Sequence, residues 1–352
     1  MDLRQLQAVV AIAEHGSFSA AAEALATVQS NVSTHVKKLE IELGTAVVDR
    51  ASGELTEAGQ LVVARARRVL GELDAISSDV TALSADVVGT VRLGAIGTAA
   101  RWLVPQLVEV LPARHPNLNL VFMEATTVGL DLQLATGQVD LAVLQLPASG
   151  SEVRTMALFE EELVLVVPRD HFLANQGQVP FTALADVELL LPLPGVSYRD
   201  LLDKVAEAEG ITLRTRIQAD SVRLIATLTF EGVGVSLLPA GAVPQYLLDD
   251  WRLLGVEGLT PRLVGVAQRR RGFPGAPVRA VLELLAEIVA DPERVPNGVR
   301  PVPPDRGRRQ GLTAMEGPVE SDEVLSDDEH RSAERSARLA RDGALPARGA
   351  TG

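Results

Sequence analysis

The chain has 352 residues, a mass of 37.4 kDa and a formal charge of −13 at pH 7. This length exceeds what one hydrophobic core usually supports, so we expect two or three domains. The chain contains no cysteine, which excludes disulfides, thiolate metal sites, a catalytic cysteine and a thiol redox switch. Its start lacks a signal-peptide pattern and no apolar run reaches about 18 residues, so we expect a cytoplasmic protein without a membrane partner.

Helical periodicity opens the chain. Apolar residues spaced three and four apart predict a first helix that Gly16 ends. Ser19 is a plausible N-cap of a short second helix. A narrow apolar stripe marks a third helix, and its members are Val32, Val36, Leu39 and Leu43. A short helix, a tight turn and a helix with a polar outer face together predict a helix-turn-helix.

The face opposite this stripe is rich in hydrogen-bond donors. It carries short hydroxyls and Lys37, with Gln29 and Lys38 at its flanks. Such groups approach base edges and neutralise phosphate, which favours DNA binding although the chain as a whole is acidic. A solvated face of an ordinary helical hairpin fits the spacing equally well. Residues 46–55 then read as a strand, a turn and a return strand, which predict a small wing with Arg50 near its base.

These segments together resemble the N-terminal domain of LysR-type transcriptional regulators. The resemblance rests on residues 1–44, on Asp49-Arg50 and on LTEAG at 55–59, and it extends to about residue 290. It implies an α+β protein with a winged helix-turn-helix DNA-binding domain at 1–58, a dimerising linker helix at 59–88 and an effector-binding domain at 89–290. The candidate DNA-binding residues are Ser19, Gln29, Ser30, Asn31, Ser33, Thr34, Lys37, Lys38 and Arg50.

The resemblance also implies a set of partners. These are double-stranded promoter DNA, a small-molecule effector, a second or further copies in a homodimer or homotetramer, and RNA polymerase. Two residues depart from the family pattern, because Val28 stands where a capping Ser is usual and Thr34 where an Arg is usual. Val28 cannot cap, so Thr27 or solvent would have to serve. We expect altered sequence preference and modest affinity, and the alternative is a small-molecule sensor whose DNA contacts are weak or vestigial.

A heptad pattern follows Thr56, a predicted N-cap. Its spacings of 4, 3, 4, 3, 4 and 3, with charged flanks, are typical of a coiled-coil seam. The alternative is a helix that lies on its own domain, which would normally need a wider apolar stripe. The predicted dimerisation residues are Val62, Ala66, Val69, Leu73, Ile76, Val80 and Leu83.

Strand and helix patterns alternate from residue 90 to 290, which predicts parallel sheets in α/β domains. The resemblance implies two subdomains of periplasmic-binding-protein type, at 89–164 with 268–290 and at 165–267, with crossings near Leu165–Pro168 and Val264–Gln268. A ligand in such a fold lies at the carboxyl ends of strands. The candidate effector-binding residues are Thr98, Ala99, Arg101, Thr126, Thr127, Ser197, Tyr198 and Ser221. Helix capping alone would explain several of these hydroxyls. Arg101 would attract a carboxylate, unless it is an ordinary surface arginine.

Residues that would support an enzyme are not recognisable. The five histidines lack metal-ligand spacing, and no Ser/His/Asp set or Walker-type loop stands out. Gly232 and Gly234 join a helix to a strand, so they predict a turn rather than a dinucleotide loop. We therefore expect no catalytic residue, metal or cofactor.

Residues 291–352 are rich in Pro, Gly, Arg and acidic residues and are predicted to be a disordered tail. The tail is either a solvated extension or a competitor with DNA for Lys37, Lys38 and Arg50.

Overall fold

The computed structural model describes residues 1–83, 87–148, 150, 153–270 and 274–303. The helices are α1 (Leu3–His15), α2 (Phe18–Ala24), α3 (Gln29–Leu43), α4 (Glu57–Ala82), α5 (Gly97–Arg114), α6 (Thr127–Thr136), α7 (Ser197–Ala208), α8 (Val222–Phe230) and α9 (Ala276–Ala290). The strands are β1 (Gly89–Ala95), β2 (Leu118–Glu124), β3 (Leu141–Gln145), β4 (Val153–Glu161), β5 (Leu163–Pro168), β6 (Gln178–Val179), β7 (Glu188–Pro192), β8 (Arg214–Ala219), β9 (Val235–Pro239), β10 (Trp251–Val256), β11 (Arg262–Arg269) and β12 (Val299–Pro301).

The first three helices pack around one apolar core as a helix-turn-helix. Gly16 ends α1 in the left-handed conformation at φ 73°, as the sequence predicts. The N-cap of α2 is Ser17, whose hydroxyl accepts the Ala20 N–H at 3.1 Å, and the prediction of Ser19 is wrong. The helix begins two residues earlier than predicted because Phe18 already packs against the core. A backbone bridge between Val48 and Leu55 forms the wing.

The part of the described chain after α4 is built around two six-stranded sheets. The first subdomain contains the sheet β12-β4-β11-β3-β1-β2, and the second contains β6-β10-β5-β9-β7-β8. The strands β1, β2 and β3 are parallel, as are β7, β8 and β9. The strands next to each crossing pair antiparallel, β11 with β3 and β4 and β5 with β9 and β10, while β10 pairs parallel with the short strand β6 on its other side. The prediction of parallel sheets therefore holds only away from the crossings.

The crossings themselves lie a few residues earlier than predicted. Glu162 alone separates β4 in the first sheet from β5 in the second, and residues 257–261 make the return from β10 to β11. The predicted crossings at Leu165–Pro168 and Val264–Gln268 fall inside β5 and β11. The sequence hides the boundary because the chain passes from one extended strand directly into the next, without a turn residue at Glu162.

The chain continues as ordered structure past the predicted start of the tail. Helix α9 ends at Ala290, but residues 299–301 form β12 and pair antiparallel with β4. The Glu162 N–H also donates to the Gly298 carbonyl at 2.9 Å. The prediction that the tail starts at residue 291 is therefore wrong, and the rest of it, residues 304–352, lies outside the described residues. Within the described ranges no helix is long and apolar enough to cross a membrane.

Candidate DNA-binding surface and effector cleft

Helix α3 presents a polar face because its opposite side is anchored in the core. Val32, Val36 and Leu39 are at most 1% exposed, which fixes the rotation of the helix about its axis. Ser33 is half-buried at the edge of the outer face. The other candidate residues of this helix are exposed, and they are Gln29, Ser30, Asn31, Thr34, Lys37 and Lys38. Ser19 is exposed on α2. The structure thus brings the predicted α3 residues to one surface.

The N-terminus of α3 has no side-chain cap from its N-cap residue, Val28. The Thr27 hydroxyl accepts the Asn31 side-chain amide at 3.0 Å and does not accept a backbone N–H, so it does not replace the missing cap. The terminus of a helix carries partial positive charge and free N–H groups, which favour an anion such as a phosphate. The departure at Val28 therefore leaves this end of the helix chemically suited to a nucleic-acid backbone.

Glu40 ties α3 to the wing, a role that sequence reasoning missed. One of its carboxylate oxygens accepts the N–H groups of Val47 and Val48, at 3.0 and 3.3 Å, and the other pairs with Arg50 at 3.3 Å. The Arg50 side chain is still 55% exposed, so it can reach a phosphate from this position. The Thr34 hydroxyl donates to the Ser30 carbonyl at 2.7 Å, which directs its donor back to the helix.

The first turns of the linker helix α4 pack against the helix-turn-helix domain, and its later turns carry an exposed apolar stripe. Ala66 is 1% exposed in the core of the helix-turn-helix domain, so the prediction that it belongs to the seam is wrong, and Val62 is half-buried against the same core. The five later seam residues are exposed, and they are Val69, Leu73, Ile76, Val80 and Leu83. The heptad pattern does not separate the two roles of α4, because its first turns directly follow the wing and pack against the core of the helix-turn-helix domain.

A side chain of the linker helix caps a helix of the first subdomain. Asp79 accepts the Ala276 N–H at 2.8 Å, at the start of α9, and pairs with Arg279 at 3.2 Å. A carboxylate is stabilised at the positive end of a helix. Asp79 lies at a charged flank of the heptad pattern, and these contacts fix α4 against the effector-binding part of the chain.

Three buried polar side chains meet between the two subdomains. Glu161 and Arg262 are register partners on β4 and β11, and the Arg262 Nε donates to the carboxylate at 2.7 Å. Arg262 also donates to the hydroxyl of Thr98 in the first turn of α5. All three side chains are at most 6% exposed. Sequence reasoning found Thr98 but missed Glu161 and Arg262, because their pairing spans 101 residues of sequence.

Arg101 is not free to bind a carboxylate in this structure. Its Nε donates to the Gly241 carbonyl at 3.1 Å, and its guanidinium also donates to the Val243 carbonyl. Burial lowers the pKa of this guanidinium below its usual value. The expectation of charge attraction at Arg101 is therefore not supported by its contacts. Neighbouring Ala99 is buried.

The remaining candidate effector residues are divided between helix capping, surface and core. Thr126 and Ser221 cap α6 and α8, since their hydroxyls accept the Gly129 and Leu224 N–H groups at 3.2 and 3.3 Å. Thr127 is half-buried in the first turn of α6, and Ser197 is the first residue of α7.

Tyr198 lies in the core of the second subdomain at 1% exposure. Its hydroxyl has no hydrogen-bond partner among the described residues. Burial raises the pKa of this tyrosine above its ordinary value, although the positive charges of Arg262 and Arg199 oppose the shift. The side chain therefore does not present the open cleft contact that the sequence suggested.

An ion pair joins the two subdomains nearer the surface. Glu124, at the carboxyl end of β2, pairs with Arg223 of α8 at 3.1 Å. The Glu124 carboxylate also lies against Gly97 at the start of α5, where an added Cβ would be 2.7 Å from its oxygen. The two groups thus lie beside Thr98, at the edge of the region where an effector is expected.

Comparison with known proteins gives two family matches that cover most of the chain. Residues 3–60 match the bacterial regulatory helix-turn-helix protein, lysR family, and residues 84–290 match the LysR substrate binding domain. The DNA-binding transcriptional dual regulator OxyR of Escherichia coli K12 is 32% identical over 293 residues, which are 82% of this chain and 95% of that protein. A probable hydrogen peroxide-inducible genes activator of Streptomyces viridosporus is 33% identical over 295 residues, with 82% and 95% covered.

Solved structures show the same architecture. A full-length OxyR variant from Pseudomonas aeruginosa has a TM-score of 0.68 at 30% identity and covers 86% of this chain and 97% of its own. Full-length CbnR in complex with its target DNA has a TM-score of 0.59 at 22% identity, with 84% and 100% covered, which shows a shared fold. The chain belongs to the LysR family of DNA-binding transcriptional regulators, and it carries both the helix-turn-helix and the effector-binding domain of that family.

Proposed function

We propose that the chain binds promoter DNA through the outer face of α3, with the wing on the adjacent backbone. The observation that carries this proposal is the exposed polar face opposite the buried stripe of Val32, Val36 and Leu39. Side chains of this face, with Ser33 at its edge among them, would lie toward base edges in the major groove. Lys37 and Arg50 would contact phosphate groups, where a cation strengthens binding to DNA of any base sequence.

A homodimer or homotetramer is the proposed functional assembly. The exposed apolar residues between Val69 and Leu83 on α4 form a stripe that a second copy of α4 would bury. A twofold dimer would present two copies of α3 to a palindromic site. A promoter-binding protein would act in the cytoplasm, and we propose that it acts there on RNA polymerase as a regulator and not as an enzyme.

The proposed effector is a small molecule held by hydrogen bonds between the two subdomains. Several relatives are named as hydrogen peroxide-inducible genes activators, but this chain has no cysteine and so cannot respond to an oxidant by thiol chemistry. Arg101 and Arg262 already have partners, so a carboxylate would have to displace one of them. The hydroxyls of Thr126, Thr127 and Ser221 support recognition of an uncharged polar group instead.

Footprinting of the purified protein on its own upstream intergenic DNA tests this function. We expect two protected half-sites about one helical turn apart, or a multiple of that distance. The variant Ser33→Ala should change which sequences are protected, because a base contact carries sequence information and a phosphate contact does not. An intact dimer that gives no protection at moderate salt would favour the alternative, a small-molecule sensor with vestigial DNA binding.

A further inference from the structure

A buried carboxylate is surrounded by donors that together would bind a small anion. One oxygen of Glu161 accepts the Arg262 Nε–H at 2.7 Å, and the other accepts the backbone N–H of Gly241 at 2.6 Å. The Thr98 hydroxyl adjoins the same guanidinium. A guanidinium, a backbone N–H and the first turn of a helix are the groups that recognise carboxylate ligands in proteins. Here the chain supplies the carboxylate itself.

The donors come from both subdomains, so the carboxylate joins them. Glu161 and Arg262 lie on the strands β4 and β11 of the first sheet, whereas Gly241 lies in a turn that follows β9 of the second sheet. Arg101 of the first subdomain holds the same turn through the Gly241 carbonyl. Two side chains of the first subdomain therefore hydrogen-bond to Gly241: Glu161 accepts its N–H, and Arg101 donates to its carbonyl.

The fit around Gly241 is tight. An added Cβ at this position would lie 2.5 Å from the Glu161 carboxylate and 3.0 Å from the indole nitrogen of Trp102. That indole N–H is buried and has no partner among the described residues. Any side chain at position 241 would therefore collide with the Glu161 carboxylate, and glycine permits the close approach of the turn to this group.

We propose that Glu161 is a built-in ligand: it fills a small-carboxylate site formed by the Gly241 N–H and by Arg262, whose guanidinium Thr98 also holds, and so helps to join the two subdomains without an external anion. The inference rests on the proposed function only in treating the space between the subdomains as the regulatory site. It follows that an effector of the native chain acts beside this site, and that removal of the Glu161 side chain creates a regulator that depends on a small carboxylate.

The test is chemical rescue of the full chain carrying Glu161→Ala. Its unfolding temperature is measured with sodium formate and sodium acetate, and with sodium chloride at the same ionic strength. Formate at about ten times its dissociation constant should raise the unfolding temperature by about 3–6 °C, and chloride should not. The matched control is Glu162→Ala, which removes the adjacent carboxylate, paired with Arg300 at the surface. Neither this control nor the native chain should respond specifically to formate.

Three results would overturn the proposal. These are a folded Glu161→Ala variant that ignores formate, an equal response in Glu162→Ala, and a formate response in the native chain that Arg262→Met abolishes. If Glu161→Ala is unfolded in buffer, formate but not chloride should restore an unfolding transition, and failure to restore it also counts against the proposal. The native footprint on DNA does not depend on these outcomes, so a failure of the proposed function would be seen separately.

Discussion

Gly59 is the position where the linker helix touches the wing most closely. It lies in the first turn of α4, and an added Cβ would be 1.9 Å from the backbone oxygen of Val47 and 2.9 Å from its carbonyl carbon. The same oxygen accepts the Thr56 N–H at 3.1 Å, just before the helix begins. Backbone atoms cannot rotate away as a side chain does, so Gly59→Ala must push the helix and the wing apart.

The expected destabilisation follows from three contributions. Overpacking costs about 1–3 kcal/mol, and the upper end applies because the contact is with backbone. Loss of the hydrogen bond between Thr56 and Val47 adds about 0.5–1.5 kcal/mol. The higher helix propensity of alanine than of glycine offsets about 1 kcal/mol of this loss. The net loss of about 2.5–3.5 kcal/mol should lower the unfolding temperature of this small domain by about 10–28 °C.

The assay can separate this domain from the rest of the chain. Both tryptophans, Trp102 and Trp251, lie in the effector-binding part, so their fluorescence does not report the winged helix. Helical circular dichroism should show an earlier transition in Gly59→Ala, while the fluorescence transition is unchanged. The control is Gly71→Ala on the same helix, where a Cβ meets nothing within 4 Å and stability should rise. Equal behaviour of the two variants would refute the reasoning.

Three further predictions concern the linker and the buried tyrosine. Ile76→Asp should halve the mass measured by light scattering, because it places a charge in the apolar stripe, whereas Ser77→Asp should not; a dimer unaffected by Ile76→Asp would contradict the proposed assembly. Asp79→Asn should cost about 1–2 kcal/mol in urea unfolding through the weakened cap of α9, and an unchanged midpoint would argue against this contact. Tyr198 has its pKa raised above 10.0 in the folded state, so stability should fall as pH rises past that value. Tyr198→Phe should remove this part of the pH dependence, and an identical profile would contradict it.

The helix-turn-helix could be predicted because its signals are local. The spacing of Val32, Val36 and Leu39 is a direct consequence of the helical period, and the structure buries all three. Gly16 is likewise a local signal for the end of a helix. The prediction of Ser19 as N-cap is wrong because a second serine, Ser17, stands two positions earlier, and Phe18 between them already packs against the core.

The effector region was predictable as a fold but less so as a site. Asp79 and Ala276 are 197 residues apart in sequence, and no periodic pattern links a helix to the cap that a distant side chain provides. The same holds for Glu161 and Arg262, whose partners are set by strand register. The charge of Arg101 near a helix start suggests an anion contact, but the direction of its side chain is decided by the turn at Gly241, which the sequence alone does not place.

The central claim, that α3 of this acidic chain reads DNA, is tested most directly by the salt dependence of binding. The affinity of the native chain for its protected upstream DNA should fall linearly with salt on logarithmic axes. Lys37→Ala should weaken binding to every sequence and reduce the slope by about 1, because one phosphate contact is lost. Lys204→Ala, which removes an exposed lysine from α7, is the matched control and should leave the slope unchanged. Identical slopes for the native chain and Lys37→Ala would contradict the account.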